Sequence, residues 1–125
     1  MTAQFGSVAI DVHDANWIHG SAPNAKQVLS AQFDEVLAGS IVDVRASGSG
    51  NGHFYYRIVE TTGHAKDVGD SVRVHAVDGG WHAIETSSLF QVTATGPLNF
   101  AVQLDKVDMS GDHTIFNLTL IAKML

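Results

Sequence analysis

Two runs near the C-terminus alternate cleanly between apolar and polar positions. Leu98, Phe100, Val102 and Leu104 alternate with Asn99, Ala101, Gln103 and Asp105. Phe116, Leu118, Leu120, Ala122 and Met124 alternate with Ile115, Asn117, Thr119, Ile121 and Lys123. Successive side chains of a strand point to opposite faces, so each run lays an apolar row against one core. The row that contains Phe116 is expected to face inward. Met109–His113 between the runs is polar, of loop length, and reads as a turn. With Phe90–Pro97 ahead of them, these runs predict three long antiparallel strands closing the domain. The second row of the last strand is mostly neutral, with Lys123 as its charge. A solvated face would carry more charge. The last strand is therefore expected to be buried on both sides, by a facing sheet and by neighbouring subunits.

The earlier chain continues the pattern in shorter pieces. Val8, Ile10 and Val12 alternate with Ser7, Ala9, Asp11 and His13 in a first strand. Ser21–Asn24 carries loop and helix-start residues. Asn24–Leu29 fits one helical turn or a strand edge, and Ala31–Ala38 shows no clean period. A better strand begins after Gly39, with Ile41, Asp43 and Arg45 on one side and Val42, Val44 and Ala46 on the other. Ser47–Gly52 holds Gly48, Gly50 and Gly52, ends in Asn-Gly, and predicts a hairpin tip. His53–Glu60 is rich in strand-favouring aromatics. Thr61–Asp70 is a polar loop, Ser71–Val77 a short strand, and Asp78–Gly80 a turn. In sum, eight to ten short strands with Gly-rich turns predict an all-β, antiparallel sandwich, jelly roll or barrel in one domain, residues 1–125. Trp17 is expected in the core or in an interface.

Composition narrows the function classes. The formal charge is −6 with only seven Lys plus Arg, and these are not clustered. A phosphate backbone would be repelled, so neither nucleic acid nor an anionic membrane is an expected partner. Only 16% of residues are charged, below the ~25% of an ordinary soluble domain. Subunit interfaces or a neutral ligand surface would each explain that. No apolar run approaches the ~20 residues needed to span a bilayer. The N-terminus lacks a basic region and apolar block, so a soluble chain made in the cytoplasm is expected, with release left open. Cysteine is absent, which removes disulfides and thiolate metal sites.

Candidate chemistry is sparse. Seven histidines invite a metal reading. There is no His-x-His pair, however, and His75, His82 and Glu85 lack a facing partner; no metal or cofactor is expected. No serine sits on a nucleophile elbow, and the glycine run precedes a strand, not a helix, so neither a hydrolase nor a phosphate cradle is supported. A neutral polyol fits better. Sugars are held by stacking on an aromatic face and by hydrogen bonds from carboxylate, amide, hydroxyl and Arg groups. The candidate ligand-binding residues are Tyr55, Arg57, Trp81, His82, Glu85, Thr86 and Ser87.

The extended start, the Gly-rich stretch near mid-chain and the closing pair Val92–Leu104 and Ile115–Ala122 resemble the tumour-necrosis-factor-like jelly roll. The layout of residues 30–125 is similar to small bacterial fucose-binding lectins of that fold. That resemblance implies a homotrimer, with the last strand near its axis and sugar sites at subunit junctions. It also implies a Ser-Thr-Gly-Arg-like turn, to which Glu85-Thr86-Ser87 corresponds in place, and a late Arg and Asp, where Lys106 and Asp112 or His113 stand. No Arg follows Ser87, so the expectation is a carbohydrate without a particular sugar. A non-enzymatic glycan-binding trimer is thus the leading reading. A trimeric head or tip domain without a small ligand and a cupin-like metalloenzyme are the alternatives.

Overall fold

The computed structural model describes residues 9–21, 26–68, 75–106 and 112–125. They form β1 (Ala9–Ser21), β2 (Lys26–Val36), β3 (Ile41–Glu60), β4 (Ala65–Asp67), β5 (His75–Val92), β6 (Gly96–Lys106) and β7 (Asp112–Met124). No helix occurs among the described residues, and every strand pair is antiparallel. The all-β, antiparallel expectation holds, in fewer and longer strands than the alternation suggested. Gly6–Val8, Ala22–Asn24, Ser71–Val74 and Met109–Gly111, on which parts of the expected strands and turns fall, lie outside the described residues.

β3 is the spine. One of its edges pairs with β5 from Ile41 to Tyr56. The other edge is shared: β7 runs along Val42–Gly52 and β6 along Phe54–Glu60. The sheet order is β1-β7-β3-β5-β4, with β6 and then β2 branching from β3, and the sheet stays open. The partner changes at Gly52, whose φ is +137°. A Cβ built there would overlap the carbonyl oxygen of Asp112. Only glycine lets the start of β7 come that close.

This placement overturns the predicted hairpin tip. Ser47–Gly52 is strand throughout, and its glycines serve close approach, not a turn. A Cβ on Gly50 would lie 2.9 Å from Ile84 Cδ1 and 3.2 Å from the Phe54 ring. Asp78–Gly80 likewise does not reverse the chain, because β5 continues through it as a bulge. The β3–β5 register slips between Asn51 and His53, and Gly79 and Gly80 both have positive φ. The uneven period of Ala31–Ala38 has the same origin. β2 is a strand whose register against β6 shifts between Phe33 and Val36, and both residues are buried.

The inward rows meet in one core. Leu98, Phe100, Val102 and Leu104 are buried as the alternation predicts, and so are Leu118, Leu120, Ala122 and Met124. Phe100 joins the branches: its ring lies 6.2 Å from Phe33 on β2 and 5.0 Å from Phe90 on β5. Fully burying side chains of this size contributes about 1.5–3 kcal/mol each. The outer row of β6 is covered as well, with Ala101 and Gln103 buried between β2 and β3.

Candidate functional site

The outer face of β1, β7, β3 and β5 is where local irregularities accumulate. In β7, Asn117 has φ +60°. The register slips there against both neighbours, between Ser47 and Ser49 on β3 and between Asp14 and Trp17 on β1. Asparagine tolerates this left-handed conformation better than most residues. The extra residue reverses the alternation. Ile115 goes inside with 0% exposure, and Phe116 turns to the outer face, half-buried. The inward assignment of Phe116 is therefore corrected, and so is the outward assignment of Ile115. Gly48 makes room for the bulge. A Cβ on it would stand 3.2 Å from Leu118 Cα and 3.3 Å from the carbonyl oxygens of Phe116 and Asn117.

The result is a row across four strands. Trp17 on β1 pairs with Phe116 on β7, Phe116 with Ser49 on β3, and Ser49 with Ala83 on β5. Paired residues share a face. Trp81, one outward position before Ala83, sits opposite Asn51 just past the Gly79–Gly80 bulge. Its ring meets that of Trp17 edge to face, with centroids 5.6 Å apart and an interplanar angle of 68°. Trp17 also packs on Phe116 at 4.5 Å and lies nearly parallel to His19 at 6.2 Å. Both tryptophans remain about half exposed, at 52% and 53%. Trp17 is thus not a core residue of the chain.

Trp17, Ser49, Trp81, His82, Ala83 and Phe116 line a groove of about 430 Å³, within the range of about 300–1,000 Å³ for small-molecule sites. None of the lining side chains is an acid or a strong base. Ser49 supplies a hydroxyl on the face of Trp81 and Ala83; His82, between them on β5 and opposite Gly50, turns its Nε2 to donate to the Gly79 carbonyl. His19 stands behind Trp17, its Nδ1 3.2 Å from Thr114 Oγ1. At the Gly79 bulge, His53 Nδ1 lies 3.1 Å from Asp78 Oδ1 on the surface.

The structure divides the residues nominated from sequence. Trp81 and His82 line the groove. Glu85 and Ser87 are exposed farther along β5, opposite Ser47 and Arg45, while Thr86 is buried. Tyr55 and Arg57 lie along the β3–β6 pair, opposite Asp105 and Gln103. Lys106 is exposed at the end of β6. His113 is buried, its Nε2 3.3 Å from Lys26 Nζ. Trp17, Ser49 and Phe116 were missed. Their meeting depends on registers across several strands, and the hint for Phe116 was an asparagine within a run of strand-forming residues. Among the described residues no group of three His, Asp or Glu side chains is placed to hold a metal ion.

No protein-family pattern and no curated protein matches the chain. Among solved structures, the EclA C-terminal domain, described as a sugar-binding protein, is similar at a TM-score of 0.47 and 14% identity, over 96% of this chain and 81% of that one. The dimeric latent PorU of Porphyromonas gingivalis is similar at a TM-score of 0.44 and 8% identity; the match covers 98% of this chain but only 13% of that chain. Both likenesses are too loose to carry an argument about function.

Proposed function

We propose that the protein is a non-enzymatic carbohydrate-binding module, a lectin, that takes a neutral sugar in the groove between Trp17 and Trp81. The observation that carries this is the pair of indoles. They come from different strands, meet edge to face, stay half exposed, and wall a groove with no charged lining. Aromatic faces left in water are apolar area that folding has not used, with a polar handle on each ring. A pyranose matches them, having patches of C–H on its faces and hydroxyls on its rim. An ionic ligand would find no counter-charge in the lining.

The groove is open, so affinity for one sugar is modest. At ~0.3 kcal/mol per non-hydrogen atom, a ring of roughly a dozen atoms binds at about millimolar Kd. Assembly multiplies weak sites. A homotrimer belongs to the proposal for this reason, with sugar sites near the subunit junctions. The exposed apolar side chains Ile121 on β7 and Leu89 on β5, both on the outer face, support it.

The test is titration of intrinsic tryptophan fluorescence with methyl glycosides of galactose, mannose, fucose and N-acetylglucosamine, alongside a glycan array. Saturable quenching by at least one glycoside, lost in Trp81→Ala, is expected. Flat titrations together with an empty array would sink the reading.

A further inference from the structure

Gly52 has two structural reasons for its place, its φ and the approach of Asp112. Asn51 before it has neither. It lies inside β3, and its φ is not positive. Asparagine is depleted in strands, and its common uses are left-handed turns, caps and local backbone hydrogen bonds. None of these applies, because the Asn51 carboxamide has no hydrogen-bond partner among the described residues. The residue is half-buried, yet its amide is not sealed from water. The fold therefore does not account for an asparagine here.

Its position does. Asn51 follows Ser49 by two residues, so both side chains leave β3 on the same face. Asn51 is paired with Trp81 on β5 and with Thr114 on β7, and Thr114 is paired with His19 on β1. These four residues form a second row beside the row of Trp17 and Ser49, about 6.6 Å along the strands. Trp81 belongs to the second row, but its ring reaches that of Trp17 in the first. A ligand stacked on Trp81 therefore lies over both rows, with Ser49 on one side and Asn51 at the foot of the ring. His19 and Thr114 are engaged with each other. The Asn51 carboxamide is uncommitted.

We propose that Asn51 is the specificity-determining residue of the groove and that it reads a vicinal diol on the sugar. This rests on the carbohydrate reading of the same groove. A carboxamide holds an acceptor oxygen and a donor nitrogen side by side in fixed geometry. Two hydroxyls on neighbouring ring carbons match it when they are gauche: one accepts from Nδ2 and the other donates to Oδ1. A trans-diaxial pair points its hydroxyls apart and cannot. An acetamido group cannot either, because the N–H and C=O of a trans amide point in opposite directions. Ser49 is less selective, since its hydroxyl rotates to donate or accept. A ligand with a single hydroxyl at this edge leaves half of the Asn51 amide unpaired, which weakens binding.

The experiment uses the full chain, the tightest-binding methyl glycoside of the panel named above, and its monodeoxy derivatives at each hydroxyl, with affinity read from tryptophan quenching. Loss of one hydrogen bond corresponds to about fivefold in affinity. Wild type is expected to lose about that factor or more for deoxygenation at either of two adjacent carbons. In Asn51→Ala and in Asn51→Leu, which keeps the volume, the parent glycoside should weaken, and both penalties should shrink to within about twofold. Urea midpoints of the two variants should match wild type, because the amide makes no bond within the described fold. Penalties unchanged by both substitutions, an Asn51-dependent penalty at a single carbon or at non-adjacent carbons, or unfolding of both variants would each overturn this proposal and leave the carbohydrate reading standing. No saturable quench by any glycoside would overturn both.

Discussion

The carbonyl of Asn117 lies against Gly48 so closely that a Cβ added there would stand 3.3 Å away. The bulge on β7 and the glycine on β3 are one device. The left-handed residue adds the extra step that turns Phe116 outward, and the bare glycine accepts the displaced backbone. Asn117→Gly should leave stability within about 1 kcal/mol, because glycine adopts positive φ freely. Asn117→Val should cost about 1–2 kcal/mol more, since a β-branched residue is strained there. It should also redshift tryptophan emission as the Trp17–Phe116 contact loosens. Urea unfolding followed by fluorescence measures both; a valine variant as stable as the glycine one would contradict the bulge.

Gly52 is the stricter case. Its Cβ would overlap Asp112 backbone, and a backbone carbonyl cannot rotate away as a side chain can. Gly52→Ala should destabilise by about 3 kcal/mol, more than alanine at Gly39, where nothing lies within 4 Å. Gly39 also has positive φ, at +95°. Comparing the two therefore separates the overlap from the backbone strain that both share. Thermal midpoints that fall equally would mean the β7 approach is not fixed.

The aromatic core makes an ordinary but discriminating prediction. Phe100 is fully buried between Phe33 and Phe90. Phe100→Ala should cost about 3–5 kcal/mol in chemical unfolding. Trp81→Ala should cost far less, because its ring is half in water. A large loss from Trp81→Ala would show the ring to be structural.

Binding and folding should separate in the same way at the groove. Trp17→Ala and Trp81→Ala are each expected to lower glycoside affinity about tenfold or more, as removal of a stacking anchor does. Tyr55→Ala and Arg57→Ala should bind as wild type, since both stand away from the lining. Isothermal titration or fluorescence on the four variants checks this. Loss in the Tyr55 and Arg57 variants with retention in the tryptophan variants would move the site to the β3–β6 face.

Where the sequence was legible, one periodicity ran unbroken. Leu98–Leu104 and Leu118–Met124 gave their strands and inward faces correctly, because nothing interrupts the pleat there. It misled where glycine and asparagine stand inside strands. Gly48, Gly50 and Gly52 have the composition of a turn, but they are there to let β7, Ile84 and Phe54 come close. Composition cannot distinguish a glycine needed for its φ from one needed for its missing Cβ. The groove was half legible. Trp81 and His82 were readable as an aromatic and a polar group after the glycines that were expected to form a turn. Trp17 and Phe116 join them only through pairings of β1 with β7 and β7 with β3, which local pattern does not encode.

Assembly can be tested at Ile121. It lies on the outer face of β7, opposite Arg45 on β3, and is 37% exposed in the single chain. A polar residue there removes little from the protomer's core, so Ile121→Asp should change unfolding stability by less than about 1 kcal/mol. If this face joins subunits, the same carboxylate would be a surplus charge in the interface, since Arg45 opposite it is already engaged by Asp43 at 3.1 Å. Leaving a charge unpaired in an interface costs several kcal/mol. Wild type is therefore expected to sediment as a trimer at micromolar concentration and Ile121→Asp as a folded monomer. Multivalent glycan binding should be lost along with assembly, while affinity for a single methyl glycoside persists at any groove that one chain completes alone. A wild-type monomer would remove the trimer from the proposal and leave the Trp17–Trp81 groove as the site of a monovalent binder.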